Sequence, residues 1–292
     1  MHNQFPISDI TVISVCYKSD AVIEQMIASI PAETPIILVD NGKTNNFPFF
    51  PAERHIHIET LERNEGFGVG CNAGAAAATT PWLLFLNPDA KIHSGALEQL
   101  LSAAHRYRTA SAFNPRIENS DGSSYFKRRS WLLSRNRYMP KGWPPADCAI
   151  PVLSGAAIFV SRKLFLKVGG FDPRIFLYHE DDDLSLRLAE LGPLMFVRDS
   201  VVTHANGNSS VRSPEVARFK AFHMARSRIY TGRKHQRPFP FLSTLVQALL
   251  LLFSPLVLVS ARRRAKAVGF LMGWIRYRNI EEPSRQVITK QD

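Results

Sequence analysis

The sequence predicts an α/β fold with a largely parallel sheet, and three observations lead to it. Short apolar runs rich in β-branched residues stand at positions 10–17, 36–39 and 82–86, the pattern of buried strands. Stretches of helical character lie between them, so strand and helix alternate. The second and third runs stop in polar turn residues, Asp40-Asn41-Gly42 and Asn87-Pro88-Asp89, and sheets of this kind bind ligands at the carboxyl ends of their strands. Tyr17, Asp40 and Asp89 would gather there.

In chain order, residues 10–17 form the first strand, and Ser19-Asp20 caps a helix over 21–30 that Pro31 stops. Positions 36–39 give the second strand and 56–58 a short third. A glycine-rich run follows, Arg63-Asn-Glu-Gly-Phe-Gly-Val-Gly-Cys-Asn-Ala-Gly74, and leads into a helical alanine tract. The run does not match the dinucleotide fingerprint, but it lets a backbone approach a flat ligand closely. Residues 82–86 are the fourth strand and 96–107 an amphipathic helix. From 114 to 151 the periodicity weakens and Arg, Trp, Tyr and Pro accumulate (Tyr125-Phe-Lys-Arg-Arg129, Trp131, Trp143-Pro-Pro145). This segment reads as a long surface excursion bordering a substrate. A strand over 152–160, a short helix over 164–168 and a strand over 194–202 complete the pattern, the last leading to His204 and a Gly/Asn/Ser-rich loop to Ser210. A basic helix spans 214–235.

The most apolar stretch is 239–260. Its length would cross a bilayer, but Pro240, Gln247 and Pro255 interrupt it, and Arg262-Arg-Arg264 and an apolar-basic segment over 268–278 follow. Helices lying in or against a membrane interface are expected, with a true span or core helices of a globular tail as alternatives. A catalytic domain over 1–235 and an apolar, basic extension over 236–292 are the expected domains, the residues from 281 on forming a loose polar end. The first residues, MHNQFP, carry no signal-peptide pattern. Three scattered cysteines exclude a disulfide framework and a zinc site. A net charge of +11 calls for an acidic partner or surface, be it nucleic acid, anionic lipid or a phosphorylated substrate.

Against that charge stand four consecutive acids, Glu180 to Asp183, followed by Leu184, Leu186, Leu188 and Leu191 with Arg187 among them. The run reads as the first turn of a helix, whose positive dipole end offsets part of the repulsion. A turn, Gly169-Gly170 to Asp172-Pro173, and two aromatics, Phe176 and Tyr178, frame it. Carboxylates loaded at such a place suit a general base. Taken one at a time, the other candidates stay open. Asp40-Asn41 is a base or ribose contact or a plain turn, Asp89 is one carboxylate where a hard cation wants several oxygens, and His204 is a ligand or a hydrogen-bonded loop histidine.

In this order along residues 9–235, these segments resemble the family 2 glycosyltransferases, inverting enzymes with a nucleotide-sugar-binding (GT-A) fold, and most of all their rhamnosyltransferase branch. The strings Arg63-Asn-x-Gly-Phe-Gly-x-Gly-x-Asn-x-Gly74 and Phe176-Leu-Tyr-x-Glu-Asp-x-Asp-Leu-x-x-Arg187 carry the resemblance. It implies Asp181 as the base with Glu180 orienting it or the acceptor, and Mg²⁺ or Mn²⁺ on Asp89 and His204. Tyr17, Asp40, Asn41, Asn64, Gly66, Phe67, Gly68, Asn72, Asn87, Asp183 and Arg187 would lie around the nucleotide and sugar. Asn87 departs from the aspartate of many relatives, weakening the metal site by one charge, and Cys16-Tyr17-Lys18 departs from the usual end of the first strand. The implied activity moves L-rhamnose from dTDP-L-rhamnose, or another sugar from a UDP-sugar, to a glycan or polyprenyl-diphosphate glycan. It would work at the inner face of a bacterial cytoplasmic membrane, without nucleic acid. A non-catalytic nucleotide-sugar-binding relative and a basic nucleic-acid-binding protein are the alternatives. Oligomeric state is not legible.

Overall fold

A computed structural model describes residues 6–204 and 213–279 of the chain. The loop expected after His204 and the polar end from 281 lie outside the described residues. The chain divides into two compact units, Met1–Phe176 with Glu180–Val211, and Leu177–His179 with Arg212–Asp292.

The first unit carries β1 (Ile10–Cys16), α1 (Asp20–Ala28), β2 (Ile36–Asn41), β3 (Ile56–Leu61), α2 (Phe67–Ala77), β4 (Trp82–Leu86), β5 (Ala90–Ile92), α3 (Ala96–Arg106), β6 (Ala112–Asn119), β7 (Cys148–Ile150), β8 (Ala157–Ser161), α4 (Arg162–Lys167), α5 (Glu180–Ala189) and β9 (Leu194–His204). One sheet runs β3-β2-β1-β4-β8-β6-β9-β5, with β7 on β9. Its first four strands are parallel. Beyond β4 the sheet turns mixed: β8 is antiparallel to β4 and β6, and β6 is parallel to β9. All seven residues of β1 and all six of β2 are buried, which is why these runs are apolar on both faces. Cys16 and Cys71 are buried thiols, and burial pushes both up, away from nucleophilic use.

Two expectations change here. The glycine run is not a loop before a helix, because α2 begins at Phe67 and takes in Gly68, Gly70 and Gly74. A Cβ at Gly70 would meet Val15 and one at Gly74 would meet Ile13, so these glycines let the helix lie close on β1. The segment after 114 is not a free excursion. It begins as β6, and its irregular part is tied to the sheet by Trp143 Nε1, which donates to the Ile117 carbonyl at 2.8 Å, and by Arg198 Nη1, which donates to the Pro144 carbonyl at 2.7 Å. Leu132 and Leu133 are buried in it. β5, β6 and β7 had no clear periodicity because they are short or carry polar residues.

The second unit is helical: α6 (Pro214–Lys234), α7 (Pro240–Leu252), α8 (Leu256–Val259) and α9 (Ala261–Ile275). α6 packs on α9. Small residues bring the two together, with Ala221, Ala225, Ala248 and Phe270 at the core, and Trp274 Nε1 donates to the Phe241 carbonyl at 3.0 Å. Among the described residues no helix is long and apolar enough to cross a membrane.

A Cβ at Gly269 would run into the backbone carbonyl of Arg218. Helix propensity alone would make Gly269→Ala favourable by about 1 kcal/mol, but the backbone obstacle cannot rotate away and overpacking costs about 1–3 kcal/mol. The variant should unfold at lower urea concentration than wild type; an unchanged or higher midpoint would show that α6 and α9 do not pack this closely.

Candidate active site

The strand register builds the first part of the site. β5 pairs antiparallel with β9 so that Ala90 faces His204, which sets the preceding residue, Asp89, beside the histidine. Asp89 Oδ1 lies 3.2 Å from His204 Nε2, and both side chains are nearly wholly buried. Asn87 Nδ2 stands 3.1 Å from the same nitrogen, and a half-turn of its amide would present oxygen instead. Three polar atoms thus converge on one point. Among the described residues no group of three or more His, Cys, Asp and Glu could by itself hold a metal. The Asp89–His204 pair fits a Mg²⁺ or Mn²⁺ that takes the rest of its shell from substrate phosphates and water, the usual way such ions bind.

The second part is the N-terminus of α5. Tyr178 and His179, just before it, hold left-handed φ angles of 66° and 68°, a sharp reversal that non-glycine residues rarely make. Asp181 Oδ2 accepts from Lys127 Nζ at 2.5 Å and from the Gly155 N–H at 2.9 Å. Lys127 Nζ also lies 2.8 Å from Asp182 Oδ1. Burial pulls the Lys127 ammonium down, but the charges of Asp181 and Asp182 together with their hydrogen bonds outweigh it and hold the group above its ordinary value. Glu180 is buried, and its Oε2 has no hydrogen-bond partner. Burial first, then the charge of Asp181, pushes its carboxyl up to about 8. The loop carrying Gly155 is fixed from both sides. Ser154 N–H donates to Asn114 Oδ1 at 2.6 Å, and Leu153 N–H donates to Ser185 Oγ at 2.9 Å.

Tyr125 connects the two parts. Its ring lies 4.9 Å from that of His204, and burial, then the charge of Asp181, pushes its phenol up.

The expected nucleotide contacts divide. Asp40 is buried at the end of β2 with Oδ1 accepting from Thr44 N–H and Asn45 Nδ2 at 3.0 and 2.7 Å, which leaves Oδ2 for a ligand. Tyr17 follows Cys16, the partner of Asp40 on β1, and is 41% exposed, a surface a base can meet. Asn87 sits with Asp89. Several others are used by the protein itself. Asn41 donates to Asn64 Oδ1 and to the Gly66 carbonyl, both at 3.1 Å, and accepts from Glu65 N–H at 2.9 Å, so it shapes the 64–66 turn. A Cβ at Gly66, where φ is 90°, would run into the Phe176 carbonyl, and one at Gly68 would meet Phe171, so packing requires both to stay bare. Phe67 packs edge-on against Phe171 at 5.8 Å. Asn72 donates to the Phe171 carbonyl and accepts from its N–H, both at 2.8 Å. Asp183 is wholly buried and accepts from Arg187 Nη2 at 2.7 Å, while Arg187 Nη1 donates to the Val168 carbonyl at 2.7 Å. The pair ties α5 to Val168, at the start of the Gly169-Gly170 turn.

Sequence reasoning missed Lys127, Tyr125 and Gly155 as site residues. The Tyr125-Phe-Lys-Arg-Arg129 run was visible, but nothing local ties it to Asp181, 54 positions on. Gly155 had a signal, since a lone glycine in a strand pattern often marks close approach.

The family model for Glycosyl transferase family 2 matches residues 11–169. The N-acetylglucosaminyl-diphospho-decaprenol L-rhamnosyltransferase of Mycobacterium tuberculosis is 30% identical over a 260-residue alignment, covering 77% of this chain and 84% of that one. The dTDP-rhamnosyl transferase RfbF of Shigella flexneri is 25% identical and covers 61% of this chain and 62% of its own. Among solved structures, the mannosyltransferase PcManGT of Pyrobaculum calidifontis, in complex with GDP-Man and Mn²⁺, superposes with a TM-score of 0.56 at 15% identity, over 92% of this chain and 86% of that one. TarS 1-349 of S. aureus with UDP-GlcNAc gives 0.52 at 15% identity, over 92% and 91%. The fold is the one these transferases share.

Glu180 supplies a pH test. Its folded value lies above the ordinary carboxylate value of 4.5, so its contribution to stability is complete below that pH and is lost as pH rises through about 8. Glu180→Gln keeps the shape and removes the titration. Wild type and variant should unfold alike at pH 5, and the variant should melt several degrees higher at pH 8.5. A wild-type advantage that grows with pH would reverse the assignment.

Proposed function

The chain belongs to glycosyl transferase family 2, and from that premise we propose that it is an inverting rhamnosyltransferase whose base is Asp181. The observation that carries the reading is Tyr125, which touches His204 on one side and feels the charge of Asp181 on the other. The Asp89–His204 pair and Asp181 therefore both lie close to one side chain, that of Tyr125, which supports reading them as parts of one site.

In an inverting transfer the acceptor oxygen attacks the anomeric carbon as the bond to the diphosphate breaks on the opposite face. Asp181 takes the hydroxyl proton, and the diphosphate leaves with the bonding electrons. The Gly155 N–H orients the carboxylate. Glu180, protonated at neutral pH, adds no second negative charge beside the base. Asp89 and His204 would hold Mg²⁺ or Mn²⁺, which when bound stabilises the departing diphosphate as a Lewis acid. Asp40 and Tyr17 would meet the base of the nucleotide, with Asn41 and Asn64 shaping the turn beside it.

The names of the relatives support the finer choices: dTDP-L-rhamnose as donor and an N-acetylglucosaminyl-diphospho-polyprenol as acceptor. Such an acceptor lies in a membrane, and the second unit suits that surface. Phe239, Leu250, Phe253, Leu258 and Val259 are each 70–81% exposed, an apolar display that soluble proteins seldom leave to water. Arg262, Arg263 and Arg264 follow at once, placed for anionic headgroups. We take the working location to be the inner face of a bacterial cytoplasmic membrane, with 236–292 as a peripheral anchor. A binding-only relative is the second reading, and the grip of Lys127 on Asp181 favours it.

Asp181→Asn decides between them. It should lower kcat/KM about 10²–10⁴-fold, the range for a lost general base, while dTDP with Mn²⁺ still raises the Tm of variant and wild type alike. Wild type that binds dTDP and transfers from no donor would favour the binding-only reading. For the anchor, Phe253→Asp with Leu258→Asp should release the protein from phosphatidylglycerol vesicles with its Tm unchanged; undiminished vesicle binding would remove the second unit from that role.

A further inference from the structure

We propose that a basic cleft beside Asp181 binds a phosphate or diphosphate group of the acceptor, and that Lys127 is shared between that anion and the base. The inference rests on the reading of Asp181 as base and adds where the acceptor is held and how it frees that base.

The cleft measures about 360 Å³ and is lined by Ser124, Phe126, Lys127, Arg128, Arg129 and Lys141 among others, with no carboxylate in its wall. That volume is at the small end of ligand pockets, roughly 300–1,000 Å³, and suits a charged group with part of a sugar. The wall is built by the backbone. Met139 N–H donates to the Arg128 carbonyl at 3.0 Å, and Arg128 Nη1 donates to the Met139 carbonyl at 3.0 Å, which draws the chain at Lys141 alongside Arg129. Both of these side chains are exposed, and neither has an ion-pair partner among the described residues. Four cations in one small cleft repel one another, and an anion relieves them all.

Lys127 belongs to the cleft and to the base at once. Its ammonium has three rotatable donors; one goes to Asp181 Oδ2 at 2.5 Å and one to Asp182 Oδ1 at 2.8 Å. The third is free to meet an anion, and the side chain is 24% exposed. As it stands, Lys127 and the Gly155 N–H occupy Asp181 Oδ2 and the Asp182 N–H occupies Oδ1, so a hydroxyl proton meets a carboxylate already engaged at both oxygens. A diphosphate in the cleft competes for Lys127, loosens that contact, and places the sugar it carries next to the carboxylate. The donor's diphosphate belongs beside Asp89 and His204, toward which the Tyr125 ring turns, while its neighbours Ser124, Phe126 and Lys127 line the cleft. An acceptor without the phosphate would meet a base still held by Lys127, so the cleft also discriminates for phosphorylated acceptors.

The test is calorimetric titration of inorganic pyrophosphate into the full chain, with a chelator present to keep the metal-dependent donor site from taking it. Wild type should bind. Arg129→Ala with Lys141→Ala, two exposed positions outside the catalytic group, should weaken binding at least tenfold, with Tm unchanged. Asp181→Asn should tighten it severalfold, because Lys127 is released, and a merely structural Lys127 would give no such gain. With a diphosphate-linked glycan acceptor, the double variant should raise acceptor KM at least tenfold while kcat and donor KM hold. No pyrophosphate binding by wild type, or equal affinity in the double variant, would overturn the proposal. So would a double variant that loses phosphatidylglycerol vesicle binding yet keeps its affinity for pyrophosphate, since the cleft would then serve lipid headgroups. The titration needs no turnover: an inactive enzyme with intact pyrophosphate binding would count against the transferase reading, and an active one without it against the cleft.

Discussion

Four adjacent carboxylates at the head of α5, three of them nearly wholly buried, are the constraint on which the rest of the site depends. Water cannot screen them, so each must find a counter-charge, a donor or a proton. Asp183 has Arg187, which also anchors the Val168 carbonyl. Asp181 and Asp182 share Lys127, brought from far along the chain. Glu180, left without a cation, keeps its proton. The dipole of the helix contributes to all four. Three different solutions to one electrostatic problem leave three different groups: a pair with Arg187, a pair of carboxylates sharing Lys127, and a carboxyl pushed up by burial.

The sheet brings the second polar pair together. Its parallel half ends in Asp40 and Asn87, and its mixed half returns β9 against β5, so that Asp89 and His204 meet although 115 positions separate them. Close backbone packing keeps this geometry rigid. Gly70 and Gly74 let α2 settle on β1, and Asn114 and Ser185 fix the loop that presents the Gly155 N–H to Asp181. A site assembled on strand ends and braced loops needs little reorganisation when the reaction develops charge.

Much of this was legible in the chain. The strands buried on both faces had to be continuous apolar runs, so the parallel half of the sheet could be read directly. The acid run and the glycine string were specific enough to indicate the family. The role of several residues in those strings was not legible. Gly66, Gly68, Asn72, Asp183 and Arg187 each also serve the fold: bare backbone under a carbonyl, an amide stapling Phe171, a buried ion pair. A motif records what must be kept, and does not separate contact with a ligand from support of the loop that makes it.

What the sequence determined by itself was therefore local: which segments are strands or helices, where the carboxylates are concentrated, and that the last helices carry more apolar surface than a small core can bury. Hydrophobic period and charge spacing act over a few residues, and a few residues suffice to show them. What only the tertiary structure decided was which charges meet. Lys127 on Asp181, Asp89 on His204 and Gly155 against Asp181 are pairings across 26 to 115 positions, set by strand order and register. No local pattern encodes them, because their energy exists only once the sheet has brought the partners out of water together.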